Sequence, residues 1–472
     1  MTQDLGIKPL RTFNRIVMVQ LQRIRGHIFA VFQNLGTLAL LAIAFPVSFS
    51  VVFASLLWSY FRGLFQKKVE PSENPKNILL TGGKMTKPLL LARSFHATGH
   101  KVFLVETKNY WMAGNQFSNS VERFYTVPAP QLDPDGYTQA LLDIVKKENI
   151  DMFIPVSTAV ASVYDSLASP VLSPYCGVFH FDAEITKMLD DKLAFCEKAR
   201  SLGLPAPKTF PITDPEQVLK FDFEGDGSQY ILKSVAYNSV QRLALVKLPC
   251  STEKMAAYVH SLPISKDNPW IMQEFITGQE YCTHSTVRDG VLMLHCCSKS
   301  SAFQVNYEDV ENPQILEWVT HFVKELNLTG QISFDFIEQE DGTVYPIECN
   351  PRVHSAITMF HDQPKVVADA YLSDSSQAPK PTLQPRPDSK PTYWLFHELW
   401  RFTNVRSWHD LQERLKIISR GTEAIFSVSD PLPFLMVHHW QIPLLLLNSL
   451  RGLKGWVRID FNIGKLVQLE SD

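Results

Sequence analysis

Glu348, Asn350, Arg352 and His354 stand at every second position in "TVYPIECNPRVHSAI", Thr343 to Ile357. In an extended strand that spacing puts all four polar groups on one face, because successive side chains alternate. The preceding residues supply a partner strand. "QISFDFIEQEDGTVYPIECNPR" reads as a β-hairpin whose two runs, rich in Ile, Phe, Val and Tyr, join across Asp341-Gly342. Asp-Gly is a favoured two-residue turn, since both positions can take positive φ. Glu340 then faces Thr343, and counting outward from that pair brings Asp335 opposite Glu348 and Ser333 opposite Asn350. Directly opposed side chains share a face, with Cβ atoms about 4.5–5.5 Å apart. Two carboxylates so placed repel and need a cation between them. Oxygen donors from Asp, Glu and Asn suit a hard ion, and Mg²⁺ takes one or two carboxylates together with substrate phosphates. A solvated hairpin face would account for a lone pair of acids. Register, amide and arginine together read instead as a nucleotide–metal site.

The rest of the chain bounds what such a site can serve. Its 472 residues allow two to four domains, and a net charge of −3 with acids and bases nearly balanced offers nothing to nucleic acid. Seven cysteines lie without a CxxC pair, Cys296 and Cys297 being adjacent. That set fits a reducing cytoplasm rather than a disulfide framework. Cys349 alternates away from Glu348 and belongs in a core. No Ser-His-Asp or Cys-His arrangement is visible.

Five regions must position the site. Residues 1–70 form an apolar helical, membrane-associating segment, with no charge from Ile28 to Phe61. One spanning helix needs about 20 apolar residues and two passes about 40, so these 34 fall between. Pro46 lies near the middle. Arg11, Arg15, Arg23 and Arg25 precede the run, and Arg62, Lys67 and Lys68 follow it, so both flanks favour the cytoplasmic side. A re-entrant or interfacial hairpin bending near Pro46 fits best. One tilted span and a helical pair packed on the protein are the alternatives. The charged leader and apolar core are both too long for a cleaved signal peptide. The polar joint "KKVEPSENPKN" should be crossed by few contacts, so a chain starting near Glu70 should keep its catalytic part.

Residues 71–180 read as strand, turn, helix, strand, a Rossmann-like doubly wound α/β unit. Glu106 at the end of its second strand could serve a ribose, but Gly82-Gly83 is not G-x-G-x-x-G, and the dinucleotide signal is weak. Residues 181–372 mix strands and helices in α+β fashion: a helix over Lys192 to Leu202, strands at "QYILKSV" and "WIMQEFITGQEY", a helix from Pro313 to Leu326, then the hairpin. Residues 373–392, with five prolines, make a linker that buries almost nothing. Residues 393–472 form an amphipathic and apolar C-terminal accessory region that closes over a core or lies on a membrane. His438-His439 within it read as packing groups rather than metal ligands.

Taken in order, "DDKLAFCEKARSLGLPAPK", "YILKSV", "IMQEFITGQEY", "ISFDFI" and "PIECNPR" resemble the ATP-grasp superfamily over roughly residues 75 to 372. The resemblance implies a pre-ATP-grasp unit followed by an ATP-grasp catalytic domain, with ATP and Mg²⁺ (or Mn²⁺) as cofactors. It implies that Lys192 and Lys233 reach the nucleotide phosphates, with Lys299 a further phosphate contact. Glu274 would take the adenine amino group, the backbone at Phe275 and Ile276 would pair with the adenine edge, and Glu280 would hold the ribose. Asp335, Glu348 and Asn350 would tie the metal to the β- and γ-phosphates, with Arg352 beside the developing phosphoryl intermediate. One stretch departs from the pattern. The flap after Lys233, "SVAYNSVQRLALVKL", has no glycine between Ser234 and Leu248, which makes it stiffer and bulkier than the family's.

The implied chemistry is ADP-forming carbon–nitrogen ligation, in which ATP phosphorylates an oxygen of the acceptor and an amine displaces phosphate. Its partners are a small-molecule acceptor and an amino acid. Within the superfamily, length, apolar segment and flap are most similar to the ligases of mycosporine-like amino acid biosynthesis. That implies glycine as amine and 4-deoxygadusol, a vinylogous acid, as acceptor. Another carboxylate–amine ligase making a dipeptide-like product, or a non-catalytic membrane-associated ATP-binding protein, are the alternatives. Expected localisation is cytoplasmic, with peripheral or re-entrant membrane association through 28–61 and a membrane surface also at 432–458. A homo-oligomer is left open.

Overall fold

Strands buried on both faces show continuous apolar runs instead of alternation, and "NILL", "KVFLVET" and "MFI" are such runs. The structure is a computed structural model that describes residues 8–63, 72–156, 158–235, 246–300, 306–377 and 381–468. In it these runs are β1 (Asn77–Leu80), β2 (Lys101–Thr107) and β4 (Met152–Ile154), joined by β3 (Arg123–Val127) and β5 (Gly177–Val178). All pair in parallel, in the order β3-β2-β1-β4-β5. Leu79, Phe103 and Phe153 enter one core with Leu141 and Leu172, while Ile78, Leu80, Leu104 and Ile154 enter another. Both faces are covered, as a doubly wound sheet requires.

Two antiparallel sheets follow. β6 (Thr209–Ile212), β7 (Tyr230–Ser234) and β8 (Trp270–Glu274) form one in the order β6-β8-β7. β9 (Gln279–Arg288) and β10 (Val291–Lys299) begin the other. β11 (Asn306–Tyr307) leaves to pair with β14 (Thr392–Tyr393), which in turn pairs with β15 (Thr422–Glu423). β12 (Gly330–Glu338) and β13 (Val344–Asn350) complete the four-stranded sheet, β10-β9-β12-β13. Helix Pro313–Glu325, capped by Asn312 accepting from the Ile315 amide at 3.0 Å, lays Ile315, Trp318 and Phe322 against Phe334 and Phe336. That packing commits the even-numbered residues of β12 to the core and leaves Asp335 on the opposite face.

The N-terminal segment departs from expectation. Lys8–Gly63 is one helix that runs through Pro46, and no hairpin forms there. Proline forgoes one backbone hydrogen bond at about 3 kcal/mol, whereas a turn would expose about four amides and four carbonyls. The unbroken helix is the cheaper solution. Nor do few contacts cross to it. Ala30, Asn34, Leu41, Ser48, Val52 and Ser55 are buried at intervals of one or two helical turns, and Leu41 and Val52 share a core with Phe434, Ile442, Leu446 and Trp456. Gln33 Nε2 donates to the Trp456 carbonyl at 2.8 Å, and Asn34 Nδ2 to that of Lys454 at 3.0 Å. Ser59 Oγ donates to the Val428 carbonyl at 2.6 Å. Most other side chains from Ile28 to Phe61 are exposed, and Gly26–Arg62 is long and apolar enough to cross a membrane.

The C-terminal helices Leu432–Met436 and Ile442–Arg451 therefore close over a core. His438 stacks on Phe396 at 4.2 Å and His439 meets Phe45 edge-on at 5.4 Å, so both imidazoles are packing groups. β16 (Arg458–Asp460) and β17 (Lys465–Val467) end the description as a two-stranded ribbon. The proline-rich segment also buries more than expected. Leu383 bridges Leu294 and accepts from the His295 amide at 2.8 Å, and Ser389 donates to the Met359 carbonyl at 3.0 Å. β10 is an edge strand with unpaired backbone groups, and an extended proline-rich chain can satisfy them. All seven cysteines are free.

Candidate active site

The hairpin brings Asp335 opposite Glu348 and Ser333 opposite Asn350. It does so by a different path from the two-residue turn. The Gly342 amide bonds to the Gln339 carbonyl and the Gln339 amide to that of Thr343, so the loop holds three residues with Gly342 at φ +84. That shifts the pairing by one, to Glu338 with Val344 and Phe336 with Pro346. A bulge at Ile347 then shifts it back before Glu348. Pro346 is tolerated because β13 is an edge strand beside a bulge.

Helix Lys192–Ser201 begins at Asp191, whose carboxylate accepts from the Leu193 and Ala194 amides at 2.9 and 3.0 Å. That cap fixes Lys192 at the helix start, where its Nζ lies 3.4 Å from Glu348 Oε1. The positive charge that the acid pair requires is supplied here by the ammonium group. Lys233, at the end of β7, donates to Gln273 Oε1 at 2.7 Å. Burial, the largest influence, holds its pKa below the usual lysine range, with Glu348 and Asp335 opposing and Lys192 adding to the depression. Arg352 donates from Nη2 to Asn350 Oδ1, and its Nη1 lies 3.5 Å from Asp190 Oδ1. Burial raises Asp190 above the ordinary carboxylate range, with Arg352 and Lys192 countering it.

The linking segment between the sheets carries the next group of residues. Glu274 ends β8; its carboxylate accepts from the Lys208 amide at 3.0 Å and from Ser228 Oγ at 3.1 Å. The Phe275 amide is taken by the Gln229 carbonyl at 2.7 Å, and Ile276 is buried. Lys247 Nζ sits 4.0 Å from the centre of the Phe275 ring. Glu280 pairs with Ile337, two positions from the Cys282–Asp335 pair, so it shares the face of Asp335. Lys299 does not. It pairs with Tyr281, which pairs with Phe336, and these lie in the rows that face away from Asp335 and Glu348. The expected phosphate contact is thus placed on the other face of the sheet. Residues 236–245 of the flap lie outside the described residues.

Glu106 is already committed. It forms a buried ion pair with Lys84 at 3.3 Å and accepts from the Lys84 and Thr107 amides, which leaves the ribose reading without its acid. Three residues near Arg352 escaped sequence reasoning. Asp190 stood within the "DDK" stretch as the neighbour of a helix cap. Lys87 and Asn462 gave no local signal, since their partners are distant in sequence.

The donor set at the hairpin fits a hard cation completed by other ligands. Among the described residues no group of three or more His, Cys, Asp or Glu could hold a metal by itself. Two opposed carboxylates and an amide match Mg²⁺, which keeps positions for phosphate oxygens and water. Ser333 Oγ, beside Asn350, and Arg352 Nη1 are buried without a hydrogen-bond partner, and a phosphate would satisfy the guanidinium nitrogen.

Residues 189–356 match the family model of the ATP-grasp domain. A carbamoyl phosphate synthase large chain, C-terminal section, from Methanopyrus kandleri is 23% identical over 240 residues, covering 46% of this chain and 42% of that one. The chain thus spans about two fifths of the length of that curated relative. The L-amino acid ligase of Bacillus licheniformis superposes with a TM-score of 0.52 at 14% identity, over 68% of this chain and 79% of that one. The biotin carboxylase domain of Hydrogenobacter thermophilus 2-oxoglutarate carboxylase, solved with MgADP, ADP and bicarbonate, gives 0.50 at 14%, over 65% and 72%. At these identities the likeness is one of fold. Residues 189–356, which hold the two antiparallel sheets and the acid-bearing hairpin, are thus the part of this chain that matches an ATP-grasp domain.

Proposed function

We propose that the chain is an ATP-dependent, ADP-forming ligase. The observation that carries the reading is the hairpin, with Asp335 facing Glu348 and the Lys192 ammonium 3.4 Å from the latter. In this reading Lys192 and Lys233 bind the phosphates, and Glu274, Phe275, Ile276 and Glu280 bind adenine and ribose. Asp335, Glu348 and Asn350 would hold Mg²⁺ or Mn²⁺, which would supply charge neutralisation for the phosphates. Arg352, fixed between Asn350 and Asp190, presents positive charge where negative charge would develop on a phosphoryl group. No protein nucleophile is needed, because positioning and charge neutralisation suffice.

The acceptor we propose is 4-deoxygadusol and the amine glycine, which would make the product mycosporine-glycine. Chain length, the apolar segment and the glycine-poor flap support this reading. An enolate oxygen of a vinylogous acid can attack the γ-phosphate as a carboxylate does, and the amine then expels phosphate. The test incubates the full chain with ATP, Mg²⁺, glycine and 4-deoxygadusol. The expected result is an ultraviolet-absorbing amine conjugate with one ADP and one phosphate per product. AMP and pyrophosphate would overturn the mechanism. Turnover with an ordinary carboxylate but not with 4-deoxygadusol would replace the substrate by that of a carboxylate–amine ligase.

We also infer that the outward face of helix Lys8–Gly63 rests on a membrane. Phe29, Phe32, Ile43, Val47, Trp58 and Tyr60 are exposed on it, and Arg62 lies in its last turn. A run of large apolar side chains left exposed along one helix marks an interaction surface. Flotation of the full chain with anionic vesicles tests this, and recovery in the vesicle-free fraction overturns it.

A further inference from the structure

Two buried polar groups near Arg352, Lys87 and Asn462, are left unused by the nucleotide reading. Lys87 lies in the first turn of helix Thr86–Ala97, is only 8% exposed, and donates to the Val353 carbonyl at 3.0 Å. Among the described residues no acid stands within ion-pair distance of it. Arg352 Nη1, whose acid Asp190 is 3.5 Å away, is buried without a hydrogen bond. Asn462 Oδ1 is a buried acceptor without a partner.

These groups belong to one place. Asn462 Nδ2 donates to Ser355 Oγ at 2.6 Å, two residues beyond the carbonyl that Lys87 touches. The Asn462 carbonyl accepts from the Thr86 amide at 2.9 Å and from Thr86 Oγ1 at 3.2 Å. The C-terminal loop is therefore tied to the residue next to Lys87 and to the end of the hairpin together. His354 between them is neutral, its pKa held down to about 3 by burial, with Lys87 and Arg352 adding to the depression. Its Nδ1 is spent on the Ala356 amide. Charging a buried amine that has no acid beside it is costly, and so is a buried carbonyl oxygen without a donor. One ligand that brings an oxyanion and a hydroxyl group offsets both costs.

We propose that Lys87, Arg352 and Asn462 form the acceptor pocket. The two cations bind the oxyanion that will meet the γ-phosphate, and Asn462 Oδ1 accepts from a hydroxyl on the same small molecule. The proposal rests on the ligase reading above and adds the two residues, Lys87 and Asn462, that select a hydroxylated oxyanion from outside the two antiparallel sheets.

The experiment compares the full chain with Lys87→Met and Asn462→Asp, using 4-deoxygadusol and an amino-acid carboxylate as acceptor probes. Loss of a charge-assisted contact should raise the acceptor KM about 10–100-fold, while the Kd for MgADP stays within about twofold. Acceptor-induced thermal stabilisation, seen with the unaltered protein, should vanish in Lys87→Met and return in Lys87→Arg. A merely structural lysine would lower the melting temperature without moving the acceptor KM, and that result overturns the proposal. If Lys87→Met does not fold, an unchanged acceptor KM in Asn462→Asp overturns it by itself. If the unaltered chain releases no phosphate with either probe, the ligase reading falls, and the pocket with it.

Discussion

Glu348 is the residue on which the proposed chemistry turns, because it faces a second acid and touches a lysine. Replacing it by Gln keeps the shape and removes the charge that Lys192 and a metal share. Turnover should fall by about 10²–10³, the loss of about 2.7–4 kcal/mol typical of a removed electrostatic contact at a reacting centre. Asp335→Asn should do the same, and Asn350→Ala should impair turnover strongly. Steady-state phosphate release checks all three, and near-normal turnover in Glu348→Gln would remove the assignment. Arg352→Ala should lose product while keeping most of its MgADP affinity. Lys87 makes a prediction about stability. Burial depresses its pKa from 10.5 to about 7, Arg352 and Lys84 add to this, and Asp460 opposes it. Between those values the unfolded chain holds a proton that the folded chain has released, so stability rises with pH across that window. In Lys87→Met this rise should disappear from urea midpoints measured between pH 7 and 10. Parallel curves would mean that Lys87 titrates as an ordinary lysine.

Among the elements, the hairpin shows how a sequence can be read correctly at one end and not at the other. Alternating polar residues fixed the shared face of Glu348 and Asn350, and counting from Asp341-Gly342 found Asp335. The counting worked because two departures cancel. The loop is one residue longer than a primed turn, and Ile347 bulges by one residue in compensation. Neither is written in residue types alone, since Asp-Gly serves both loop lengths. Lys299 is a related case, because the row of a strand-end residue depends on pairings two strands away. Lys87 and Asn462 meet through contacts between residues far apart in sequence, which no local pattern announces. Two glycines test the elements separately. Gly342 has nothing within 4 Å of an added Cβ, so Gly342→Ala should cost only the strain of φ +84, about 1–2 kcal/mol, and spare nucleotide binding. At Gly278 an added Cβ would fall 2.0 Å from the Glu338 carbonyl oxygen. Gly278→Ala must push the Glu274–Ile276 segment off the four-stranded sheet, and calorimetry should show weakened MgADP binding together with a lower melting temperature.

At the scale of the whole molecule, the N-terminal helix belongs to the C-terminal core as much as to any membrane. Beginning the chain near Glu70 would uncover Trp456, Ile442 and Leu446, all buried in that core. The truncated protein should melt lower than the full chain, and Leu41→Ala, which hollows the same seam, should cost about 2–5 kcal/mol. An unchanged melting temperature in both would show that the stripe contributes little. The same seam sets an order in time. Gln33 waits for Trp456, 423 residues later in the chain. At a synthesis rate of about 5–20 residues per second, that interval lasts about 20–85 seconds. For that period a long greasy helix exists without the surface that will cover its inner stripe. Translation order therefore demands a temporary host for it, a bilayer or a holding chaperone, before any question of catalysis arises.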